Sequence, residues 1–396
     1  MQITDVQLIK LSGEVDAEWT RSYARSAGPL DVYEEFRHRE PEPAGATAHV
    51  RRIHSIYVEI HTDAGCTGRY GPIFAEQAFL IATKLRGLLL GRDPLAGEAL
   101  WDIAVRSDRH ARAGQLMMAI SSVDCALWDL RGRYFDVPVC RLLGGPTRPA
   151  VPAYASMLGH SLELESVREV ANATAEAGYP AQKWFFRHGP GDGPRGRRAN
   201  VQLAEELRLS LGEAYPLMFD CWMGWDLPYA LDIADDLRAL TPKWVEEPLA
   251  PAHVAAYARL KHETALPLAA GEHLYTRWDV KPYLDAEALD YIQADPDWTG
   301  GITELVKICS LAAVHGVPVI PHGHNVRAAL HVVASRSPQI CPMVEYLLKH
   351  IPRQELFHRD PIEPTDGVLA VPDAPGLGIE FDEAKIDQRD ELDWQG

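Results

Sequence analysis

Three short apolar runs in the middle of the chain each end in a carboxylate: Pro216-Leu-Met-Phe-Asp220, Trp244-Val-Glu246 and Leu268-Ala-Ala-Gly-Glu272. Glu246 follows Asp220 by 26 residues, and Glu272 follows Glu246 by 26. Each interval is about one βα unit, so the three carboxylates are expected at equivalent heights on adjacent parallel strands. The spacing therefore predicts that they converge on one point.

The same alternation of apolar runs and helical stretches continues on both sides and predicts eight strands after Pro149. We place them at 151–155, 181–186, 216–220, 243–247, 267–271, 290–294, 317–321 and 342–346. Eight strands with seven or eight helices between them favour a closed α/β barrel. An open doubly wound sheet is the alternative.

The chain before Pro149 has a different pattern. Residues 3–11 and 53–62 are rich in Ile, Val and Leu and predict strands, the second ending in a turn. Between them, residues 19–47 carry several basic residues, Arg37 among them, without a clear period. A long loop of this kind is often functional.

Composition limits the classes of function. Hydrophobic residues make up 46% of the chain and charged residues 24%, as in globular proteins. The net charge of −17 argues against a nucleic-acid surface. We also find no CxxC pair, no secretory leader and no apolar run of membrane-spanning length, so we expect reduced cysteines and a cytoplasmic enzyme without membrane or nucleic-acid partners.

The predicted carboxylate trio indicates a metal site. Three convergent carboxylates repel each other unless a cation lies among them, and oxygen ligands without His or Cys favour Mg²⁺, with Mn²⁺ as a substitute. The alternative is that acidic residues follow strands as helix N-caps, where they favour the helix dipole.

Two further strands end in a carboxylate and an imidazole. Asp295 ends the run Tyr291-Ile-Gln-Ala, and His322 ends the run Val317-Pro-Val-Ile-Pro. A carboxylate hydrogen-bonded to one ring nitrogen fixes the tautomer and raises the basicity of the other, which suits a general base. A satisfied structural histidine is the alternative.

Two weaker patterns do not favour a zinc or phosphate site. His322 and His324 form an HxH that could ligate zinc, but in metal-dependent amidohydrolases this motif lies on the first strand rather than the seventh. Gly189, Gly191 and Gly193 resemble a phosphate loop, but prolines interrupt them. We predict that no helix begins there and that 187–198 is a flexible excursion.

Several motifs together resemble the mandelate racemase branch of the enolase superfamily. They are Ser122-Val-Asp-Cys-Ala-Leu-Trp-Asp-Leu-Arg-Gly, Leu142-Leu-Gly-Gly, Trp244-Val-Glu-Glu-Pro, Ala270-Gly-Glu and the Gly300-Gly that follows Asp295. Within the branch, Asp220-Cys-Trp-Met, Gly271-Glu-His, Asp297-Trp-Thr-Gly-Gly and Pro321-His-Gly are most similar to the L-rhamnonate dehydratases. The likeness covers most of the chain.

The resemblance implies a modified TIM barrel, (β/α)7β, with an N-terminal α+β capping domain. On this basis we divide the chain into the capping domain at 1–147, the barrel at 148–355, and a segment at 356–396 that returns to the capping domain. The family's capping loops choose the substrate, and the region from Gly28 to Val50 does not match clearly.

The resemblance also implies roles for individual residues. Asp220, Glu246 and Glu272 would bind Mg²⁺, and His322 with Asp295 would be the acid/base dyad. Glu345 on the last strand would support the enolate, and Lys183 would act beside it. Substrate contacts are expected from His273, Lys183, His324 and Arg37.

One departure is informative. Racemases of the branch carry Lys-x-Lys on the second barrel strand and use the second Lys as a base, whereas Lys183-Trp-Phe185 has Phe at that place. The rhamnonate dehydratases also lack this base.

The resemblance thus implies a Mg²⁺-dependent acid sugar dehydratase, a hydro-lyase of sugar acid catabolism. It would remove the C2 proton of an aldonate such as L-rhamnonate and eliminate the 3-hydroxyl to give a 2-keto-3-deoxy acid. The alternatives are an epimerase, racemase or cycloisomerase with the same metal-stabilised enediolate, or a barrel that binds sugar acids without catalysis. We also expect a homo-oligomer.

Overall fold

The computed structural model describes residues 1–16, 21–37 and 50–394. Its first part is built on an antiparallel sheet in the order β12-β1-β2-β3, formed by β1 (Ile3–Asp16), β2 (Val50–Thr62), β3 (Thr67–Ile73) and β12 (Gln388–Glu391). In β12, which is close to the C-terminus, Glu391 pairs with Ile9 of β1. The end of the chain therefore returns to the N-terminal sheet.

Helices make up most of the rest of the chain before the barrel, and several of them pack on this sheet. They are α1 (Glu34–Arg37), α2 (Ala75–Leu80), α3 (Arg86–Leu89), α4 (Gly97–Arg106), α5 (Gly114–Tyr134) and α6 (Val139–Leu142), with a 3-10 turn at Pro29–Val32 and a π-helical turn at Ile81–Leu85. Most of α5 is buried, because it packs against β3 on one side and the barrel on the other. All six cysteines are free thiols, as predicted.

The second part is a parallel sheet in the order β10-β4-β5-β6-β7-β8-β9. Its strands are β4 (Ala150–Ser156), β5 (Gln182–Phe185), β6 (Leu217–Asp220), β7 (Trp244–Glu246), β8 (Leu268–Ala270), β9 (Tyr291–Ile292) and β10 (Val344–Leu347). A short β11 (Val368–Ala370) pairs with β4 from outside. The modified TIM barrel with its N-terminal cap is confirmed; the domain boundaries stay a prediction.

Helices connect the strands, as expected for βα units. They are α7 (Leu164–Glu176), α8 (Gly193–Leu211), α9 (Leu227–Ala239), α10 (Val254–Thr264), α11 (Thr276–Asp285), α12 (Gly301–Val314), α13 (Val326–Ser335) and α14 (Ile351–Gln354), with a 3-10 turn at Pro190–Asp192 and another at Glu383–Lys385. None of the helices within the described ranges is both long and apolar enough to cross a bilayer.

Two sequence predictions were wrong in detail. The predicted strand at 317–321 is reduced to one bridge between Val319 and Ile292, since Pro318 and Pro321 have no N–H to donate to a ladder. The predicted flexible excursion at 187–198 contains the start of α8 instead. Pro194 lies in the first turn of that helix, where the missing N–H has no partner to lose.

The cap fixes the chain that follows β9. The side chain of Asp124 in α5 accepts hydrogen bonds from the backbone N–H and the hydroxyl of Thr303, at 2.9 and 2.6 Å. At Gly301, whose φ is +84°, a Cβ would lie 2.3 Å from Asp124 Oδ2. The glycine is required for this close approach, which anchors the loop after Asp295.

Candidate active site

A cavity of about 420 Å³ lies at the carboxyl ends of the barrel strands, between the barrel and the cap. In α/β barrels this end carries the catalytic residues. The ionisable side chains from the barrel that line it are Lys183, Asp220, Glu272, His322, His324, Glu345 and His350. The cap contributes Phe74 and the segment around Arg25.

The three carboxylates predicted as a trio end three adjacent strands. Asp220 pairs in register with Glu246, and Glu272 lies two residues beyond the end of β8. Asp220 and Glu272 line the cavity, whereas Glu246 lies behind them and is only 1% exposed. The carboxylate of Glu246 accepts hydrogen bonds from Trp244 Nε1 at 3.0 Å and Gln293 Nε2 at 2.6 Å.

Lys183 on β5 is the cation nearest to the trio. Its Nζ forms an ion pair with Glu246 and lies 2.8 Å from Glu345 Oε1 and 3.4 Å from Asp220 Oδ2. Burial by itself lowers the pKa of Lys183, but these carboxylates raise it well above its usual value. Lys183 is therefore a fixed positive charge inside the barrel.

One lysine does not neutralise so many acids. Burial raises the pKa of Glu246 well above its usual value and that of Glu272 to about 7, and repulsion from Asp220 adds to both effects. Burial likewise raises the pKa of Asp220. A cation among these groups would restore their charged forms.

The structure also brings together three possible metal ligands that strand spacing does not predict. Single ligand atoms of Glu247, Glu272 and His273 all lie within 4.8 Å of one another. His273 Nδ1 lies 2.8 Å from Glu247 Oε2, and although burial lowers the pKa of His273, Glu247 raises it to about 9. The sequence signal for this second set is the pair of adjacent residues Glu246 and Glu247, because the sequence alone does not decide which of the two carboxylates faces a metal.

The predicted dyad is formed next to Glu272, after the neighbouring strand β9. His322 Nδ1 lies 3.0 Å from Asp295 Oδ2, while Asp295 Oδ1 accepts the backbone N–H groups of Asp297 and Trp298 at 2.8 and 2.9 Å. The backbone therefore fixes the carboxylate that orients the ring. The other ring nitrogen, Nε2, lies 3.3 Å from Glu272 Oε2.

The charges around His322 determine its basicity. Burial by itself lowers the pKa of His322, but the negative charge of Glu272 and the contact with Asp295 raise it to about 10. A cation held by Glu272 would offset the first of these contributions.

Glu345 supports the turn that carries the dyad histidine. Its Oε2 accepts the backbone N–H of Gly323 at 2.9 Å. Burial raises its pKa, but Lys183 and His322 lower it to about 2, so the side chain is charged. A Cβ at Gly323 would lie 2.9 Å from Glu345 Cγ, so the close contact requires glycine.

Arg37 does not reach the cavity. Its guanidinium donates to the carbonyl oxygens of Asp31 at 2.9 Å and Gly191 at 2.8 Å, which ties α1 to the loop before α8. Arg25 is the arginine that lines the cavity within the described part of the chain, and it is bound to Asp31 at 2.7 Å. Part of the loop predicted at 19–47 lies outside the described residues.

Phe185, at the place of the missing base, pairs in register with Asp220 and is 1% exposed. It has no ionisable group. Phe185 therefore cannot act as a second base.

Comparison with known proteins identifies two matched regions. Residues 32–144 match the family model described as mandelate racemase / muconate lactonizing enzyme, N-terminal domain. Residues 165–385 match the model described as enolase C-terminal domain-like. Together the two matches cover most of the cap and most of the barrel.

Individual relatives extend over most of the chain. An L-rhamnonate dehydratase from Saccharopolyspora erythraea is 30% identical over 396 residues, which cover 96% of each chain. A D-galactarolactone cycloisomerase from Agrobacterium fabrum is 32% identical over 348 residues, covering 84% of this chain and 89% of the relative. The crystal structure of rhamnonate dehydratase from Gibberella zeae complexed with Mg matches with a TM-score of 0.84 at 26% identity, covering 97% of this chain and 96% of that one.

Proposed function

The chain belongs to the mandelate racemase and muconate lactonizing enzyme family of the enolase superfamily, and on that premise we propose that it is a Mg²⁺-dependent sugar acid dehydratase. The observation that carries this proposal is the position of His322. One ring nitrogen is held by Asp295, and the other lies 3.3 Å from Glu272 at the edge of the acidic side. A substrate bound through its carboxylate at the metal would present its C2 proton there.

The acidic side fits a divalent cation. Asp220, Glu246 and Glu272 would hold it as hard oxygen ligands, and the raised pKa values of all three reflect a deficit of positive charge. When bound, Mg²⁺ supplies positive charge where the substrate carboxylate becomes more negative as the C2 proton leaves.

The chain's own residues then divide the work. His322 Nε2 removes the C2 proton, and Asp295 holds the ring in the required tautomer. Lys183 stays charged and would stabilise the negative charge that develops on the substrate's carboxylate. Glu345 pairs with Lys183 and holds the turn at Gly323 in place. Loss of the 3-hydroxyl then gives a 2-keto-3-deoxy sugar acid.

The residues of the cavity wall favour a substrate with several hydroxyl groups and one apolar end, such as L-rhamnonate. Trp298 Nε1 and both ring nitrogens of His324 are buried without a hydrogen-bond partner among the described residues. Buried polar atoms of this kind are costly unless a ligand satisfies them. Leu158 and Leu347 provide apolar surface in the same cavity.

A cycloisomerase is the second candidate, because a relative with that activity is 32% identical to this chain. Such a reaction also begins at a carbon next to the carboxylate but does not release the 3-hydroxyl as water. Phe185 argues against a two-base epimerase, since it can neither remove nor deliver a proton.

The experiment is an incubation of the purified chain with a library of sugar acids and their lactones, with and without Mg²⁺. The products are followed by a keto-acid assay and by NMR. We expect a 2-keto-3-deoxy acid from at least one aldonate, only with the metal. A lactone converted without any keto acid would favour the cycloisomerase, and a C2 epimer would favour the epimerase.

A further inference from the structure

The cavity contains a second imidazole next to a carboxylate, formed by His324 and Asp297. We propose that His324 donates the proton that converts the departing 3-hydroxyl into water, so that His322 serves only as the base at C2. This inference rests on the proposed dehydratase function. It assigns the two proton transfers of one elimination to two different residues.

The second pair repeats the first at a spacing of two residues. Asp295 and His322 form one pair, and Asp297 and His324 follow them in Asp295-Pro-Asp297 and His322-Gly-His324. The two rings lie with their centres 6.5 Å apart and their planes at 28°. Both therefore face the cavity from the same wall, on either side of Trp298.

Asp297 is oriented from the cap. The hydroxyl of Tyr70 on β3 donates to Asp297 Oδ1 at 2.5 Å, and Asp297 is 4% exposed. His324 Nδ1 lies 3.7 Å from the same oxygen, slightly beyond hydrogen-bond length. Contacts of this kind are often long without substrate and shorten when it binds.

His324 is buried and has no hydrogen bond to any residue in the described ranges. It is 6% exposed, and its ring packs among Phe74, Trp298 and His350, with ring centres 5.1 to 5.4 Å away. A structural histidine in such a place would normally have at least one ring nitrogen satisfied. The open nitrogens therefore indicate a ligand hydroxyl as partner.

The distance between the two rings suits adjacent carbons of one substrate. Each ring needs to come within roughly 2.6 to 3.2 Å of its own target, the C–H group at C2 for His322 and the oxygen on C3 for His324. Because both rings lie on one wall, the proton and the hydroxyl would leave from the same face. The expected stereochemistry is a syn elimination.

The step balances with two histidines. The C2–H bond breaks first: its proton goes to His322 and its electron pair is shared with the substrate carboxylate as an enediolate. The pair then forms the C2=C3 bond as the C3–O bond breaks and protonated His324 gives its proton to the oxygen. The product is an enol and water. His322 then returns a proton to C3 as the enol becomes the ketone, and the proton from the C2 hydroxyl passes to His324, directly or through water.

The test separates proton removal from loss of the hydroxyl. Wild type, His324→Gln, His322→Asn and His350→Gln are incubated with L-rhamnonate and Mg²⁺ in D₂O. NMR then gives two rates, deuterium entry at C2 of the recovered substrate and formation of the 2-keto-3-deoxy acid. A 3-deoxy analogue, which cannot eliminate, gives the exchange rate alone.

For His324→Gln we expect product formation to fall at least about hundred-fold, while exchange at C2 of the 3-deoxy analogue stays within a few-fold of wild type. Recovered L-rhamnonate should then carry deuterium at C2. His322→Asn should lose both rates. His350→Gln, which removes an imidazole from the same wall, should leave the ratio of the two rates unchanged.

Two results would overturn the inference: a parallel fall of both rates in His324→Gln, which would make His324 only a substrate contact, or no fall in either. If His324→Gln does not fold, as judged by circular dichroism, Asp297→Asn should shift the ratio in the same direction and replaces it. A wild type that forms no keto acid from any sugar acid refutes the proposed function itself, and the wild-type measurement alone shows this.

Discussion

The buried carboxylates on the two sides of the cavity are stabilised in different ways. On the acidic side, Asp220 and Glu246 share Lys183, and Asp220 raises the pKa of both Glu246 and Glu272. On the histidine side, Asp295 has both of its oxygens bound, one by backbone N–H groups and one by His322. The first side is left with uncompensated acidic charge that a cation would balance, whereas the carboxylate of the second is satisfied by its own neighbours.

The largest expected effect comes from removing that cation. Chelation should abolish turnover, and added Mg²⁺ should restore it. Without a cation, two or three buried carboxylates repel each other by an energy on the order of several kcal/mol unless they protonate. Turnover is measured by the keto-acid assay before and after metal removal. Full activity in the stripped protein would mean that the acidic side is not a metal site.

The next largest effect should come from the histidine side. His322→Asn should reduce turnover by roughly a hundred-fold to ten-thousand-fold, because the general base is lost. Calorimetry with Mg²⁺ should show unchanged metal affinity, since the acidic side is intact. Near-normal turnover would place the base elsewhere, with His324 and His273 the first candidates.

Asp295→Asn should act in the same direction but more mildly, because the imidazole that transfers the proton remains and only the carboxylate that orients it is lost. The asparagine oxygen can still accept the backbone N–H groups of Asp297 and Trp298, so the loop should keep its shape. Steady-state kinetics and thermal unfolding measure the two effects. A loss larger than that of His322→Asn would contradict the assigned roles.

The smallest expected difference distinguishes two ligand sets on the acidic side. Glu246→Gln and Glu247→Gln change neighbouring residues by the same substitution. We expect Glu246→Gln to weaken Mg²⁺ binding more, because Glu246 is the predicted ligand. A larger loss in Glu247→Gln, measured by titration of the stripped protein, would favour the set of Glu247, Glu272 and His273 instead.

The sequence predicted the parts of the site that depend on strand spacing. The interval of 26 residues placed Asp220 and Glu246 side by side, because parallel strands in a barrel are joined by units of similar length. The same reasoning located the dyad, since Asp295 and His322 each lie three residues beyond paired residues. The predicted homo-oligomer stays a prediction.

The features of the site that could not be predicted from the sequence depend on side-chain direction and on contacts between distant segments. The spacing of the strands alone does not show that the side chain of Glu247, a residue with a φ of +40°, points toward His273. Nor does it show that Arg37 is occupied by backbone carbonyls while Arg25 lines the cavity. The contact of Tyr70 with Asp297 joins residues 227 positions apart and is visible only in the fold.

The most direct test of the account is proton exchange at C2, since all of the proposed chemistry begins there. A substrate analogue without the 3-hydroxyl is incubated in D₂O with and without Mg²⁺, and NMR follows deuterium at C2. We predict exchange only with the metal, with the configuration retained, because His322 is the proposed base and Phe185, at the place of the second base of the racemases, cannot transfer protons. Exchange with inversion, or unchanged exchange in His322→Asn, would contradict the account.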